Sequence, residues 1–109
     1  MQINKIHATN MEMTAAIKSY AEEKFLGLAK LTVNYEPVAS LDIEVGKTSE
    51  HHQKGNIFKC EATMRIPGDV LRVEVTADDL YAAIDKCKDR LKERLAEHKD
   101  TLIERRQME

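Results

Sequence analysis

The spacing of apolar positions changes several times along the chain, and each change predicts a new secondary-structure element. Ile3 and Ile6 lie in a β-rich start, so residues 1–9 are predicted to form the first strand. Thr14 is a favourable N-cap, and after it apolar side chains recur at steps of three and four residues. This pattern predicts an amphipathic helix that runs to about Leu31. Its apolar stripe consists of Ile17, Tyr20, Ala21, Phe25 and Leu28.

A period of two replaces the helical spacing in the middle of the chain. Pro37 lies in the segment NYEPVAS, which is predicted to be a loop because proline interrupts regular backbone hydrogen bonding. Leu41, Ile43 and Val45 then alternate with acidic residues, as in a strand with one buried face. The polar segment GKTSEHHQKGN, with a glycine at or near each end, predicts a long hairpin loop.

Two further alternating runs complete the predicted sheet. Residues 58–66 alternate between apolar and polar side chains and predict a long strand, and PGD at 67–69 predicts a tight turn. The core-facing positions of the next strand are expected to be Val70 or Leu71, Val73 and Val75.

The element order predicted by these patterns is β-α-β-β-β-α. Each strand has one apolar and one polar face, so we expect an α+β fold with a four-stranded, mostly antiparallel sheet. The two helices are expected to pack on its apolar face. A length of 109 residues suits one domain, which we place at 1–109 with a short tail from about residue 103.

The final helix, DDLYAAIDKCKDRLKERLAEHK at 78–99, carries its charges in separate rows. Asp78 or Asp79 is expected to cap its N-terminus. The stripe expected to face the sheet contains Leu80, Ile84, Cys87, Leu91, Leu95, His98 and Leu102. The acidic row expected to face away from it contains Asp85, Asp89, Glu93 and Glu97.

Basic side chains flank the apolar stripe of this helix on both shoulders. At 100° per residue, Lys88, Lys92 and Lys99 fall on one shoulder, while Arg90 and Arg94 fall on the other. The pattern alone favours a solvated helix with weak i,i+3 and i,i+4 ion pairs. Side-by-side packing of the two helices would instead form a basic groove with Lys24 and Lys30, suited to a phosphate backbone.

Overall charge gives no support to nucleic-acid binding, since 17 Lys and Arg oppose 19 Asp and Glu for a net charge of −2. Any such binding must depend on charge segregation at the surface. No apolar run approaches the length needed to cross a membrane, so we expect a cytoplasmic protein without a membrane partner. Cys60 and Cys87 lie within apolar patterns and are expected to be buried, reduced thiols.

The sequence offers little that points to a catalytic or metal site. The sequence contains none of the motifs GxxxxGK[ST], GxGxxG, HExxH or GxSxG, so we expect no enzyme, no cofactor and no metal site. His51 and His52 are adjacent, so their side chains point apart, and no further ligand is placed at a suitable spacing; a zinc site is therefore disfavoured. Together with Lys54 they indicate either a loop that contacts phosphate or a base, or an ordinary solvated loop.

The segment DLYAAID at 79–85, followed by Asp89-Arg90-Leu91, resembles the ribosome hibernation-promoting factor and ribosome-associated inhibitor A family, some members of which were called sigma-54 modulation proteins. The resemblance extends over nearly the whole chain. It implies a fold similar to double-stranded RNA-binding domains. It also implies binding to rRNA of the small ribosomal subunit, in the path of mRNA and tRNA, which blocks translation in stress or stationary phase.

The resemblance implies that basic residues of both helices contact rRNA. The matching positions are Lys24 in the first helix and Arg90, His98 and Lys99 in the last. Glu93 and Glu97 stand where the family usually has bases, and Lys88, Lys92 and Arg94 are the neighbours expected to substitute. The residue pattern by itself favours a packed, core-edge position for His98.

The chain resembles the short form of the family, which lacks a ribosome-dimerising domain. We therefore expect a monomer off the ribosome and no DNA partner. The alternative from another functional class is a protein-interaction adaptor that modulates a sigma factor through its polar sheet face or an edge strand.

Overall fold

The computed structural model describes residues 1–35, 39–48 and 57–108, with side chains up to residue 100 apart from position 34. The strands are β1 (Gln2–Thr9), β2 (Ser40–Lys47), β3 (Phe58–Ile66) and β4 (Asp69–Ala77). The helices are α1 (Ala15–Leu26) and α2 (Leu80–Met108), with a 3₁₀ helix at Ala29–Tyr35. The predicted order β-α-β-β-β-α is confirmed.

The four strands form one sheet in the order β1-β2-β3-β4. β2, β3 and β4 pair antiparallel, whereas β1 pairs parallel with β2. Parallel pairing follows from the chain path, because α1 and the 3₁₀ helix lie between β1 and β2 in sequence and carry the chain back to the same end of the sheet. The sheet is therefore mixed, with antiparallel pairs in the majority.

Both helices cover one face of the sheet, where they bury the alternating apolar side chains predicted from the sequence. Leu41, Ile43 and Val45 of β2 are fully buried. In β4, Leu71 is buried and Val70 is 52% exposed, which settles the register that the sequence left open. The helices contribute Ile17, Ala21, Phe25, Leu80, Ala83, Ile84, Cys87, Leu91 and Leu95 to the same core.

Helix α1 ends earlier than predicted. Thr14 is its N-cap, as expected, and its hydroxyl accepts a hydrogen bond from the Ile17 N–H at 3.1 Å. Gly27 ends the helix, and the chain continues as a 3₁₀ helix rather than as α-helix to Leu31. Leu28 precedes the 3₁₀ helix and is fully buried, whereas Leu31 lies within it and is 45% exposed.

Helix α2 is capped by Asp79, whose Oδ2 accepts from the Ala82 N–H at 2.9 Å. Its predicted apolar stripe is buried from Leu80 to Leu95. The backbone remains helical to Met108, across the residues that were expected to form a tail from about 103. Leu102 belongs to the predicted stripe, but its side chain is outside the described part.

Candidate nucleic-acid interface

A groove runs between α2 on one side and the end of α1 with the 3₁₀ helix on the other. The two sides run in the same direction, because contacts advance together from Tyr20 and Asp85 to Tyr35 and His98. We call the end nearer the N-terminus of α2 the upper part and the opposite end the lower part. The upper part has a volume of about 220 Å³ and is lined by Gly27, Leu28, Lys30, Leu31, Lys88 and Lys92. The lower part has about 290 Å³ and is lined by Lys30, Leu31, Val33, Tyr35, Lys92, Leu95, Ala96 and Lys99.

Four lysines line this groove, and none of the described side chains that line it is acidic. Lys88, Lys92 and Lys99 come from the shoulder of α2 that helical geometry predicted, and Lys30 faces them from the 3₁₀ helix. The charge pattern left open whether these lysines are simply solvated or line a groove between the helices. The structure places three of them along one wall of a groove and a fourth on the opposite wall. We call these four residues the groove lysines.

Most of the groove lysines are not held in ion pairs. Lys88 Nζ lies 3.8 Å from Asp89 Oδ1, whereas no ion pair within the described residues involves Lys30, Lys92 or Lys99. These three side chains are exposed. Their ammonium groups are therefore available to an anionic ligand without breaking an internal contact.

Lys24 lies at the upper end, outside the side chains that line the groove. Its Nζ is 3.6 Å from Asp85 Oδ1 and 5.4 Å from the centre of the Tyr20 ring. The Tyr20 hydroxyl donates to Asp85 Oδ1 at 2.7 Å, and the Tyr20 and Tyr81 rings meet edge to face at 4.7 Å. The hydrogen bond to Asp85 is the main cause that raises the pKa of Tyr20 to about 12.

This cluster corrects the expectation that Asp85 belongs to a solvent-facing acidic row. Asp85 is half-buried against α1, where it receives the Tyr20 hydrogen bond and faces Lys24. Asp89 and Glu93 of that row are exposed, at 71% and 70% of their side chains. The difference arises because α1 contacts α2 near its N-terminal end.

His98 joins three elements at the lower end of the groove. Its Nδ1 is 3.1 Å from the Tyr35 hydroxyl, and its Nε2 is 3.5 Å from Asp69 Oδ2. A hydroxyl that donates to Nδ1 leaves the ring proton on Nε2, facing the carboxylate. The side chain is only 13% exposed, which confirms the packed, core-edge position predicted from its pattern.

The remaining basic candidates lie elsewhere. Arg90 and Arg94 are exposed on the other shoulder of α2 and do not line the groove; Arg90 Nε is 3.9 Å from Glu93 Oε2. Lys54, His51 and His52 lie outside the described residues. The predicted loop NYEPVAS is shorter than expected, because the 3₁₀ helix extends to Tyr35 and β2 begins at Ser40; residues 36–38 lie outside the described part.

The sequence interpretation missed the apolar part of the groove. Leu31 is 45% exposed and Val33 is 64% exposed, and both line its lower part. In the sequence prediction Leu31 marks the end of the first helix, and Val33 lies between that helix and the loop NYEPVAS. No sequence signal marks them, because their exposure depends on the path of the 3₁₀ helix.

The open face of the sheet is polar and internally paired. Glu44 accepts from the Thr9 hydroxyl at 2.9 Å and faces Lys59 at 3.2 Å and His7 at 3.4 Å. The Thr9 hydrogen bond and the Lys59 ammonium hold the pKa of Glu44 below its usual value. Arg65 and Asp42 form a second pair across β2 and β3, at 2.6 Å.

Neither a metal centre nor a reactive thiol emerges from the described residues. They contain no group of three or more His, Cys, Asp or Glu side chains placed to hold a metal ion. Cys60 and Cys87 are buried and unbridged, as predicted, and the hydrogen bond between the two thiols together with burial raises the pKa of Cys60. None of the helices in the described ranges is long and apolar enough to cross a membrane.

Comparison with known proteins identifies similar sequences over nearly the whole chain. The family model described as sigma 54 modulation protein / S30EA ribosomal protein matches residues 4–103. A ribosome hibernation promoting factor of Azotobacter vinelandii is 33% identical over 107 residues, covering 98% of this chain and 91% of that protein. A ribosome hibernation promotion factor of Deinococcus radiodurans is 30% identical over 107 residues, but this chain spans only 54% of its length.

Two solved structures resemble the fold. The N-terminal domain of Protein Y from Thermus thermophilus has a TM-score of 0.68 and 32% identity, over 87% of this chain and 96% of that domain. A ribosomal subunit interface protein from Coxiella burnetii has a TM-score of 0.69, over 92% of this chain and 99% of that chain. At 16% identity, the second comparison concerns the fold alone.

Proposed function

Because the chain belongs to the sigma 54 modulation protein / S30EA ribosomal protein family, we propose that it is a ribosome hibernation factor that binds rRNA of the small subunit. The relative of which this chain covers 91% is named a ribosome hibernation promoting factor, and the one of which it covers 54% is named a ribosome hibernation promotion factor. A cytoplasmic location follows from this proposal. In it, the folded body occupies the path of mRNA and tRNA and blocks translation sterically.

The groove lysines carry the proposal. The protein has a net charge of −2, so its surface as a whole does not attract RNA. The groove nevertheless presents four ammonium groups, and the part of its lining that the structure describes contains no carboxylate. Lysines spaced along a groove fit successive phosphates of a nucleic-acid backbone, and they supply affinity without sequence preference.

The other candidate residues take supporting places in this proposal. Lys24 and His98 are held by Asp85 at one end and by Tyr35 and Asp69 at the other, so they orient the groove walls before they contact RNA. Arg90 and Arg94 form a second basic shoulder that can contact a separate segment of rRNA. Lys54 adds a phosphate contact from the predicted hairpin loop.

Steric occlusion requires binding and a rigid body, but no turnover. The tyrosine cluster at the top and the His98 contacts at the bottom fix the groove at both ends. Because the walls are fixed, the backbone positions that carry the groove lysines need not rearrange when RNA binds. The proposed activity therefore depends on groove geometry rather than on a reactive group.

The test is cosedimentation of the purified protein with small ribosomal subunits over a series of salt concentrations. We expect binding that weakens steeply with salt, because phosphate-bound counterions are released on association. Lys92→Glu/Lys99→Glu should abolish pelleting. The matched control, Lys18→Glu/Lys86→Glu, reverses two exposed lysines outside the groove and should pellet as wild type.

Two outcomes would contradict the proposal. One is a folded wild-type protein that does not pellet with small subunits at low salt. The other is equal loss of pelleting in the groove variant and its control, which would indicate a diffuse charge effect. Arg90→Glu/Arg94→Glu then measures what the second shoulder adds.

A protein-interaction adaptor remains the second candidate, favoured by the paired charges on the open sheet face. Glu44 faces both Lys59 and His7 there, and Arg65 pairs with Asp42. Such a surface suits a polar protein partner better than phosphate. Binding through this face should be less sensitive to salt than rRNA binding, and Lys92→Glu/Lys99→Glu should leave it intact.

A further inference from the structure

The lower part of the groove combines an apolar floor with a basic rim. Val33 is 64% exposed and Leu31 is 45% exposed, beside the half-buried Tyr35 and the exposed Ala96. Both side chains lie in a concave site, where the apolar face of a ligand can cover them together. A phosphate backbone alone leaves this floor uncovered, so lysine–phosphate contacts do not account for it.

The rim of the same cavity selects an anion. Lys30, Lys92 and Lys99 surround the floor, and no ion pair within the described part of the chain engages them. Two other lysines are held in ion pairs, Lys24 beside Asp85 and Lys59 beside Glu44. A ligand that fits must therefore present both an apolar face and negative charge.

Size limits the ligand further. The cavity holds about 290 Å³, near the lower end of the range of about 300–1,000 Å³ for small-molecule sites. It is too small for a helix or a strand of a protein partner to enter, but it suits one planar ring with its sugar and phosphate. Unpaired bases offer such a ring, whereas stacked bases within a duplex do not.

We propose that the lower groove holds one unpaired nucleotide of RNA, its base on Leu31 and Val33 and its phosphates on Lys30, Lys92 and Lys99. This inference rests on the proposed function and adds a choice of RNA structure: a single-stranded or extruded position rather than a continuous duplex. Apolar contact with the face of a base is non-directional and does not read the hydrogen-bonding groups on its edge, so we expect the groove to select unpaired RNA over duplex without preferring a base.

The inference is tested by titrating isotope-labelled protein with a short single-stranded RNA and with an abasic chain of equal length and charge. Backbone amide shifts are followed by NMR, which detects weak binding. We expect the RNA to bind about five-fold tighter than the abasic chain, as burial of a few tens of Å² of apolar surface would give, and to shift the amides of Leu31, Val33 and Ala96. The abasic chain should shift only residues near the lysines.

Two exposed valines provide a matched pair of variants. Val33→Ser should remove the preference for base-containing RNA while leaving abasic binding unchanged. Val70→Ser, at a valine 52% exposed on β4, should keep the preference. Equal affinity of the wild type for both ligands, absence of binding by both, or parallel loss of both in Val33→Ser would overturn the inference.

These results separate the inference from the proposed function. Wild-type protein that pellets with small subunits but shows no base preference retains the function and loses the nucleotide site. Protein that fails to pellet loses the proposed function, whatever the oligonucleotides show.

Discussion

At the scale of single residues, Gly46 has the tightest steric requirement among the described glycines. It pairs with Thr9 across the parallel β1–β2 ladder. A Cβ at this position would lie 2.2 Å from the Thr9 carbonyl oxygen, closer than any stable contact. Backbone atoms cannot rotate away as a side chain can, so β1 itself would have to move.

We expect Gly46→Ala to destabilise the protein by about 1–3 kcal/mol or more, as overpacked core substitutions do. The comparison is Gly68→Ala, where φ is +80° but nothing lies within 4 Å of an added Cβ. That change carries only the backbone cost, about 1 kcal/mol. Urea unfolding of both variants measures the difference, and a Gly46→Ala loss no larger than that of Gly68→Ala would contradict the steric account.

Tyr20 gives a residue-scale prediction for pH. Its pKa is raised to about 12 from an ordinary value of 10.0, chiefly because its hydroxyl donates to Asp85. The folded chain therefore holds this proton more tightly than the unfolded chain does. The stabilisation is complete below pH 10 and is lost as the pH rises towards 12.

Wild-type protein should therefore lose stability between pH 10 and 12 more steeply than Tyr20→Phe, which lacks the titrating hydroxyl. Unfolding midpoints in urea across this range provide the measurement. The matched control is Tyr81→Phe, which removes the hydroxyl of a neighbouring tyrosine. Its unfolding midpoint should change with pH as steeply as that of the wild type. Identical slopes for wild type and Tyr20→Phe would rule out a tighter-held Tyr20 proton.

At the scale of elements, the segment that carries the family resemblance is what docks α2. Asp79 caps the helix, Leu80, Ala83 and Ile84 enter the core, and Tyr81 and Asp85 contact Tyr20 of α1. The groove depends on this docking, since it exists only where the two helices lie side by side. A motif can therefore be necessary for binding without touching the ligand.

Removing the docking contact tests this account. Asp85→Ala deletes the acceptor for Tyr20 and the carboxylate beside Lys24, and we expect a loss of about 1 kcal/mol because the site is half exposed. Asp89→Ala removes a carboxylate that is 71% exposed and should change stability by less than about 0.5 kcal/mol. Chemical denaturation measures both, and equal effects would mean that Asp85 does not hold the helices together.

Much of the element pattern could be predicted because strands and helices leave different apolar periods. The three antiparallel strands, both N-caps and the buried stripe of α2 follow from periodicity and capping chemistry. The change from α-helix to 3₁₀ helix after Gly27 could not be predicted, since Leu28 and Leu31 continue a spacing common to both. Parallel pairing of β1 was also absent from the prediction, although a helical crossover requires it.

At the scale of the whole molecule, charge segregation rather than net charge defines the candidate surface. Helical geometry placed Lys88, Lys92 and Lys99 on one shoulder of α2 from the sequence alone. Which shoulder faces α1 depends on tertiary packing, and so does the position of Lys30. The exposed floor of Leu31 and Val33 could not be predicted either, because it is created by the 3₁₀ segment.

A charge-restored variant separates local from global electrostatics. Lys92→Glu/Lys99→Glu lowers the net charge by four, and adding Glu12→Lys/Glu74→Lys at two exposed acids outside the groove returns it to −2. We expect the four-fold variant to bind small ribosomal subunits as poorly as the double variant, because phosphate contacts act over about a Debye length of 8 Å at physiological salt. Cosedimentation at that salt concentration compares the two, with urea unfolding as the check that both are folded. Recovery of wild-type pelleting in the charge-restored variant would instead mean that overall charge governs association and that the groove has no special role.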